Sequence, residues 1–180
     1  MYSPGVSLDA GGVGDDASAG RTPSPVTVSL LADFPASVLA VADMRWREWG
    51  HAPEPEDPTW WLDISSREAG RDDLPVTFVA HSATQEVLGA VGLDHYDVDE
   101  RRECSPWVTG MIVRPEHRRS GVGRTLIQHL ERWAAGHGIA EAWVGTDLAR
   151  EFYECCGWTP VETFTNMAGE HMTVLHKKLI

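Results

Sequence analysis

What this chain has little of narrows the field first. Its 180 residues include only three cysteines, Cys104 and the vicinal pair Cys155 and Cys156. An odd number with one adjacent pair is no disulfide framework and agrees with a reducing compartment. No apolar run approaches the roughly 20 residues of a membrane helix, and the N-terminus lacks a basic segment followed by an apolar one. A cytoplasmic protein without membrane contact is the expectation. Positive charge is scarce too: 15 lysines and arginines face 27 aspartates and glutamates, for a formal charge of −12. Such a balance argues against a nucleic-acid surface and leaves room for a cationic small molecule or peptide. The eight histidines show no paired ligand spacing, so no metal is expected. The length suits one domain with a full core and is short for two.

Residues 1–24 are rich in Gly, Ser, Asp and Pro and poor in large apolar side chains. Such a segment buries too little surface to offset its ordering entropy, which predicts a disordered leader before a single domain over 25–180. Val26, Val28 and Leu30 alternate as a first strand. A helix follows from Pro35, with Val38, Leu39, Ala42, Trp46 and Trp49 on one face up to Gly50. Asp57 and Pro58 open a second helix towards Gly70. Strands are predicted near 75–81, 86–93, 107–113 and 142–146, with a helix near 148–156 and a closing hairpin near 158–164 and 171–179. The order is β-α-α-β-β-β-α-β-α-β-β, an α/β fold with a mixed sheet and helices packed on it.

The stretch from Pro106 to Gly136 joins a strand to a basic, glycine-punctuated turn and then to an amphipathic helix carrying Val122, Leu126, Leu130, Trp133 and Ala134. First-turn amides of a helix lack partners, its dipole favours an anion, and glycines admit close approach, so this arrangement suits a phosphate. It is not a Walker A loop, for no Gly-Lys-Ser/Thr follows, and its glycine spacing is not that of a dinucleotide fingerprint.

Val113-x-Pro115-x-x-Arg118-Arg119-x-Gly121-x-Gly123 resembles the acetyl-CoA signature of the GNAT superfamily of N-acetyltransferases. Phe152-Tyr153-x-x-x-Gly157-Trp158 resembles the second signature of that family, and the element order from Val26 to Leu179 fits its fold. The resemblance implies that acetyl-CoA is the co-substrate. Backbone groups over Met111, Ile112 and Val113 would pair with the pantetheine arm. The turn and first helical residues (Arg118, Arg119, Ser120, Gly121, Val122, Gly123, Arg124 and Thr125) would hold the pyrophosphate. It also implies that the sheet splays between 107–113 and 142–146, that an amine attacks the thioester directly, and that Tyr153 protonates the leaving thiolate. Many relatives place a glutamate base near the start of the central strand. This chain has Ser105 there, which leaves Asp97 or Glu103 as candidates for the base.

In that fold the loop between the first two helices walls the acceptor cleft. Here that region and the loop before the central strand bring Trp46, Trp49, Glu54, Glu56, Trp60, Asp94 and Asp99. Acids mixed with indoles suit a cationic amine through ion pairing, stacking and cation–π contact, although tryptophans at helical spacing also serve as core. An aminoglycoside-type antibiotic fits best, with a polyamine or a peptide N-terminus behind it. The alternatives are a protein or peptide N-acetyltransferase, or a non-catalytic acyl-CoA sensor. Relatives often form homodimers through their C-terminal strands, so a homodimer is compatible with the resemblance.

Overall fold

Alternating apolar residues, broken by prolines and glycines, divide the chain into strands and helices in the order read from the sequence. The computed structural model describes residues 26–51, 56–166 and 169–180. The predicted leader and Glu54 lie outside the described residues. Strand β1 (Thr27–Leu30) leads to helices α1 (Val38–Trp49) and α2 (Pro58–Arg67). Strands β2 (Val76–His81), β3 (Val87–Asp94) and β4 (Trp107–Val113) follow, then helix α3 (Val122–Gly136), β5 (Glu141–Thr146), α4 (Arg150–Cys155), β6 (Thr159–Thr165) and β7 (His171–Lys178). Helix α2 starts where expected, with Asp57 accepting the Thr59 amide at 2.8 Å and Pro58 at its first position. It stops at Arg67 instead of running to Gly70, where the chain presses so close to the Pro75 carbonyl that a Cβ would sit 2.2 Å from it.

The strands form one sheet in the order β1-β2-β3-β4-β5-β7-β6. All neighbours run antiparallel except β4 and β5, which are parallel. One face is covered by α3, whose buried stripe (Val122, Leu126, Ile127, Leu130 and Ala134) meets Phe78, Val91 and Val113. Each fully buried aliphatic side chain there contributes about 1.5–3 kcal/mol relative to exposure. On the other face α1 lays Val41 and Met44 against Val79, Ala90 and Ile112. Because side chains alternate along a strand, Ile112 belongs to the α1 side while Met111 and Val113 belong to the α3 side. The described helices include none long and apolar enough to cross a membrane.

Two histidines are taken out of water by this packing. His81 is 2% exposed, 3.2 Å from the Ser37 hydroxyl, and burial lowers its pKa. His129 packs against Phe78, and burial together with Arg132 lowers its pKa as well. A histidine with a depressed folded pKa stabilises the fold above its unfolded pKa of about 6.5, and that contribution is lost as pH falls through the window below it. The melting temperature should therefore fall between about pH 7.5 and about pH 5.5, and His81→Asn should shrink the fall. A melting temperature flat across that range would refute the assignment.

Candidate active site

The site begins where β4 leaves its neighbour. Strands β4 and β5 share a single register pair, Trp107↔Trp143, beside the 2.9 Å bond from the Trp143 amide to the Pro106 carbonyl. Beyond that point they part. On its other edge β4 pairs with β3, but the register slips between Ala90 and Gly92, where Gly110 is bulged out with φ of +52°. Past the bulge the Arg114 amide donates to the Leu88 carbonyl of β3 at 2.9 Å. Strand alternation then turns the amides of Val113 and Met111 the other way, into the opening towards β5. The Val113 carbonyl is already used, accepting from Arg118 Nε at 3.0 Å.

The turn after Pro115 is wound to present amides. Arg119 and Gly121 both take the left-handed conformation, with φ of +58° and +91°. Glycine adopts that at no steric cost, and Arg119 adopts it against its Cβ. Ser120 and Thr125 brace the turn by donating to the carbonyls of His117 (2.6 Å) and Gly121 (3.1 Å). The amides of Val122, Gly123 and Arg124 begin α3 and have no acceptor within the helix.

A cavity of about 480 Å³ opens over this helix end. Of the residues expected to hold the nucleotide, Val113, Arg118, Arg119, Gly121, Gly123 and Arg124 line it. Leu148, Ala149 and Phe152 form an apolar wall opposite, which the sequence reading did not assign. Met111, Ile112, Ser120, Val122 and Thr125 do not line it: Ile112 and Val122 are core residues, and the other side chains lie beneath the surface or brace the turn. Arg118 is half-buried, because its Nη2 also pairs with Glu48 at 3.0 Å, so it ties α1 to the end of β4. Arg119 is exposed and makes no ion pair among the described residues. An anion-binding helix end, an open strand edge and an apolar wall fit a long thioester with a phosphate tail.

Tyr153 lies in the main core. Its ring packs edge-on against Phe152 and Trp158 in the main core. Its hydroxyl, fully buried, has no hydrogen-bond partner among the described residues. Burial pushes its pKa far up, with further pushes from Cys156 and Asp97, so the phenol stays protonated.

Asp97 also lines a second, smaller cavity of about 70 Å³ on the α1 side of β4. Trp49, Trp60, Trp61 and Tyr96 give this cavity aromatic walls, Glu68 and Asp94 add carboxylates, and Thr109 and Gly110 form its floor at the bulge. Burial raises the Asp94 pKa, the amide of His95 opposes that by donating to the carboxylate, and Glu68 repels it. Of the residues expected around the acceptor, Trp49, Trp60, Asp94 and Asp97 come together here. Trp46 and Glu56 are used elsewhere: the Trp46 indole donates to the Glu56 carbonyl at 3.0 Å, and the Glu56 carboxylate accepts from Trp61 at 2.8 Å. Asp99 and Glu103 are exposed outside this cavity, Asp99 pairing with Arg102. The sequence reading missed Arg45, Glu68 and Tyr96. A cation among Val41, Ala42 and Met44 on the buried stripe of α1 was the available signal for the first.

At the surface, Glu86, Glu116 and His117 bring ligand atoms within 4.8 Å of one another, a grouping that histidine spacing did not reveal.

The two arginines of the turn are expected to behave differently. Arg119→Ala should raise the KM for acetyl-CoA about tenfold with an unchanged melting temperature, as suits an exposed phosphate contact. Arg118→Ala should also lower the melting temperature, because it strips the Glu48 carboxylate and the Val113 carbonyl of their donor. Equal effects on stability, read by thermal melts beside steady-state kinetics, would contradict this division.

Residues 38–158 match the acetyltransferase (GNAT) family. Over 146 residues the chain is 31% identical to the mycothiol acetyltransferase of Clavibacter sepedonicus, covering 73% of this chain and 43% of that protein. It therefore spans less than half the length of that relative. It is also 27% identical over 120 residues to the aminoglycoside N(6')-acetyltransferase type 1 of Acinetobacter genomosp. 13, covering 65% of this chain and 73% of the relative. Its backbone resembles the crystal structure of an aminoglycoside 6'-N-acetyltransferase complexed with coenzyme A, with a TM-score of 0.70 at 16% identity over 86% of this chain and 97% of the other. With the family match running from α1 to the end of α4 and both signatures on the expected elements, the chain belongs to the GNAT acetyltransferase family.

Proposed function

We propose that this protein transfers the acetyl group of acetyl-CoA directly to a primary amine on a small cationic molecule, with an aminoglycoside-type amine as the favoured acceptor. One observation carries this reading: the phosphate-suited cavity and the acid-lined cavity lie on opposite faces of β4, and the charge of Asp97 in the second reaches the buried Tyr153 hydroxyl. Bound acetyl-CoA supplies the activated acetyl group as a thioester. The chain supplies the rest. Amides of Met111 and Val113 face the opening and orient the carbonyl by hydrogen bonding. Asp94 and Glu68 draw an ammonium group inward, and Asp97 takes a proton from the amine before it attacks. Tyr153 Oη then gives its proton to the sulfur that leaves, and the second proton, lost by the nitrogen as the amide forms, restores the phenol. The desolvation that makes the phenol a weak acid also makes a thiolate in that place a stronger base, which keeps donor and acceptor matched.

The acid-lined cavity, at about 70 Å³, has room for the amine-bearing end of an acceptor. Relatives that act on aminoglycosides support that class, and cation-attracting walls support a charged acceptor. Thiol release from acetyl-CoA in the presence of an amine panel tests the reading. Release should be strongest with aminoglycosides and should weaken as salt rises, because exposed charge attraction is screened. Binding of acetyl-CoA with no release across the panel would instead favour a sensor domain.

Tyr153→Phe separates chemistry from packing. Removing a buried hydroxyl without a partner should leave the melting temperature unchanged or raised. Turnover should nevertheless fall by roughly 10²–10⁴ with acetyl-CoA affinity intact, if the hydroxyl is the proton donor. Wild-type turnover in this variant would remove Tyr153 from the mechanism.

A further inference from the structure

The acid-lined cavity contains one cation, and three of its five N–H donors are unused. Arg45 is 2% exposed. Its Nη1 is committed, donating to Glu68 Oε2 at 2.6 Å and to the Ser65 hydroxyl at 3.4 Å. Nε and Nη2 are buried and have no partner among the described residues. These two nitrogens form the side-on edge of the guanidinium, whose parallel N–H groups suit one or two oxygen acceptors. The group lies against the bulge of β4: a Cβ on Gly110 would stand 2.7 Å from Nη2 and 3.0 Å from Nε, so glycine leaves this side of the cavity open. Arg45 shares the lining with Asp94 and Asp97, which places donors for an oxygen beside carboxylates for an ammonium.

Resting on the acetyl-transfer reading above, we propose that the Nε/Nη2 edge of Arg45 selects the acceptor by binding an oxygen close to its amine. An amino sugar or an aminoacyl amide offers such an oxygen. A polyamine does not, since its protonated nitrogens only donate, and it would bury the guanidinium edge against methylene groups. The oxygen is a neutral one, a hydroxyl, ring ether or carbonyl. Glu68, Asp94 and Asp97 already outnumber the single arginine, and a substrate carboxylate would add another negative charge to the same small space. A buried donor left unmatched by the wrong ligand typically costs ten- to a hundredfold, approximately, in discrimination.

The test is a comparison of kcat/KM on the wild-type protein for glucosamine and an aminoglycoside against putrescine and spermidine, and for glycinamide against glycine. The oxygen-bearing amines should exceed the polyamines by about tenfold or more, mainly through KM, and glycinamide should exceed glycine. In Arg45→Lys, which keeps the charge facing Glu68 and lacks the side-on edge, the preference should collapse towards unity. If that variant does not fold, the wild-type ratios decide alone. Equal efficiency for polyamines and oxygen-bearing amines, or a preference for glycine, overturns the role of Arg45 while leaving acetyl transfer standing. Acetyl-CoA binding with no amine acetylated removes the acetyl-transfer reading and this inference with it.

Discussion

The parting of β4 from β5 is the constraint on which both cavities depend. A fully zipped parallel pair would spend the amides of Met111 and Val113 on β5 and leave no opening to the α3 face. Pairing instead holds at Trp107 and Trp143 and then stops. What keeps the sheet whole is closure on either side: β4 stays paired to β3, and β5 stays paired to β7 along its full length. The unmatched amides are tolerable only because solvent or a ligand can reach them, since buried backbone donors without partners are rare. An opening of this kind, placed beside an anion-binding helix end, defines a donor site before any side chain is considered.

The bulge at Gly110 gives the seam its second side. One extra residue in β4 breaks the pairing with β3 and brings positive-φ backbone to the floor of the smaller cavity. Arg45 lies against this glycine, and Glu68 from the end of α2 holds Arg45 in place. A buried ion pair of this sort adds little net stability, because desolvating two charges offsets most of their attraction. Losing one partner, however, strands the other. The pair thus fixes α1, α2 and β4 relative to one another more than it stabilises them, and the acceptor walls inherit that fixed geometry.

How much of this was legible in the sequence follows from how each site is built. The donor side is nearly contiguous: strand, turn and helix lie between Trp107 and Gly136, and both ends were placed to the residue. Glycine, proline and arginine there report local conformation directly. Even so, the roles of Arg118 and Arg119 looked alike in sequence, and only the position of Glu48 on another helix separates them. The acceptor side is assembled from α1, α2, the loop after β3 and the floor of β4, which no spacing rule relates. Asp94 and Asp97 line that cavity, but Glu56 is drawn off by Trp61 and Asp99 by Arg102, and Arg45 was overlooked. Charge counts predict an attraction; they do not predict which carboxylates remain after internal partners have taken their share.

The proposed transfer requires protons to move in opposite directions across one strand. An amine must lose a proton on the α1 face while a sulfur gains one on the α3 face. Asp97 is suited to the first role because it lines the acid-lined cavity, and its charge also reaches the Tyr153 hydroxyl. That negative charge adds to the burial that chiefly keeps the phenol protonated. The bulge at Gly110 and the Arg45–Glu68 pair hold the two faces of that strand in a fixed relation, so the proposed proton acceptor and proton donor are set by the fold before either ligand arrives.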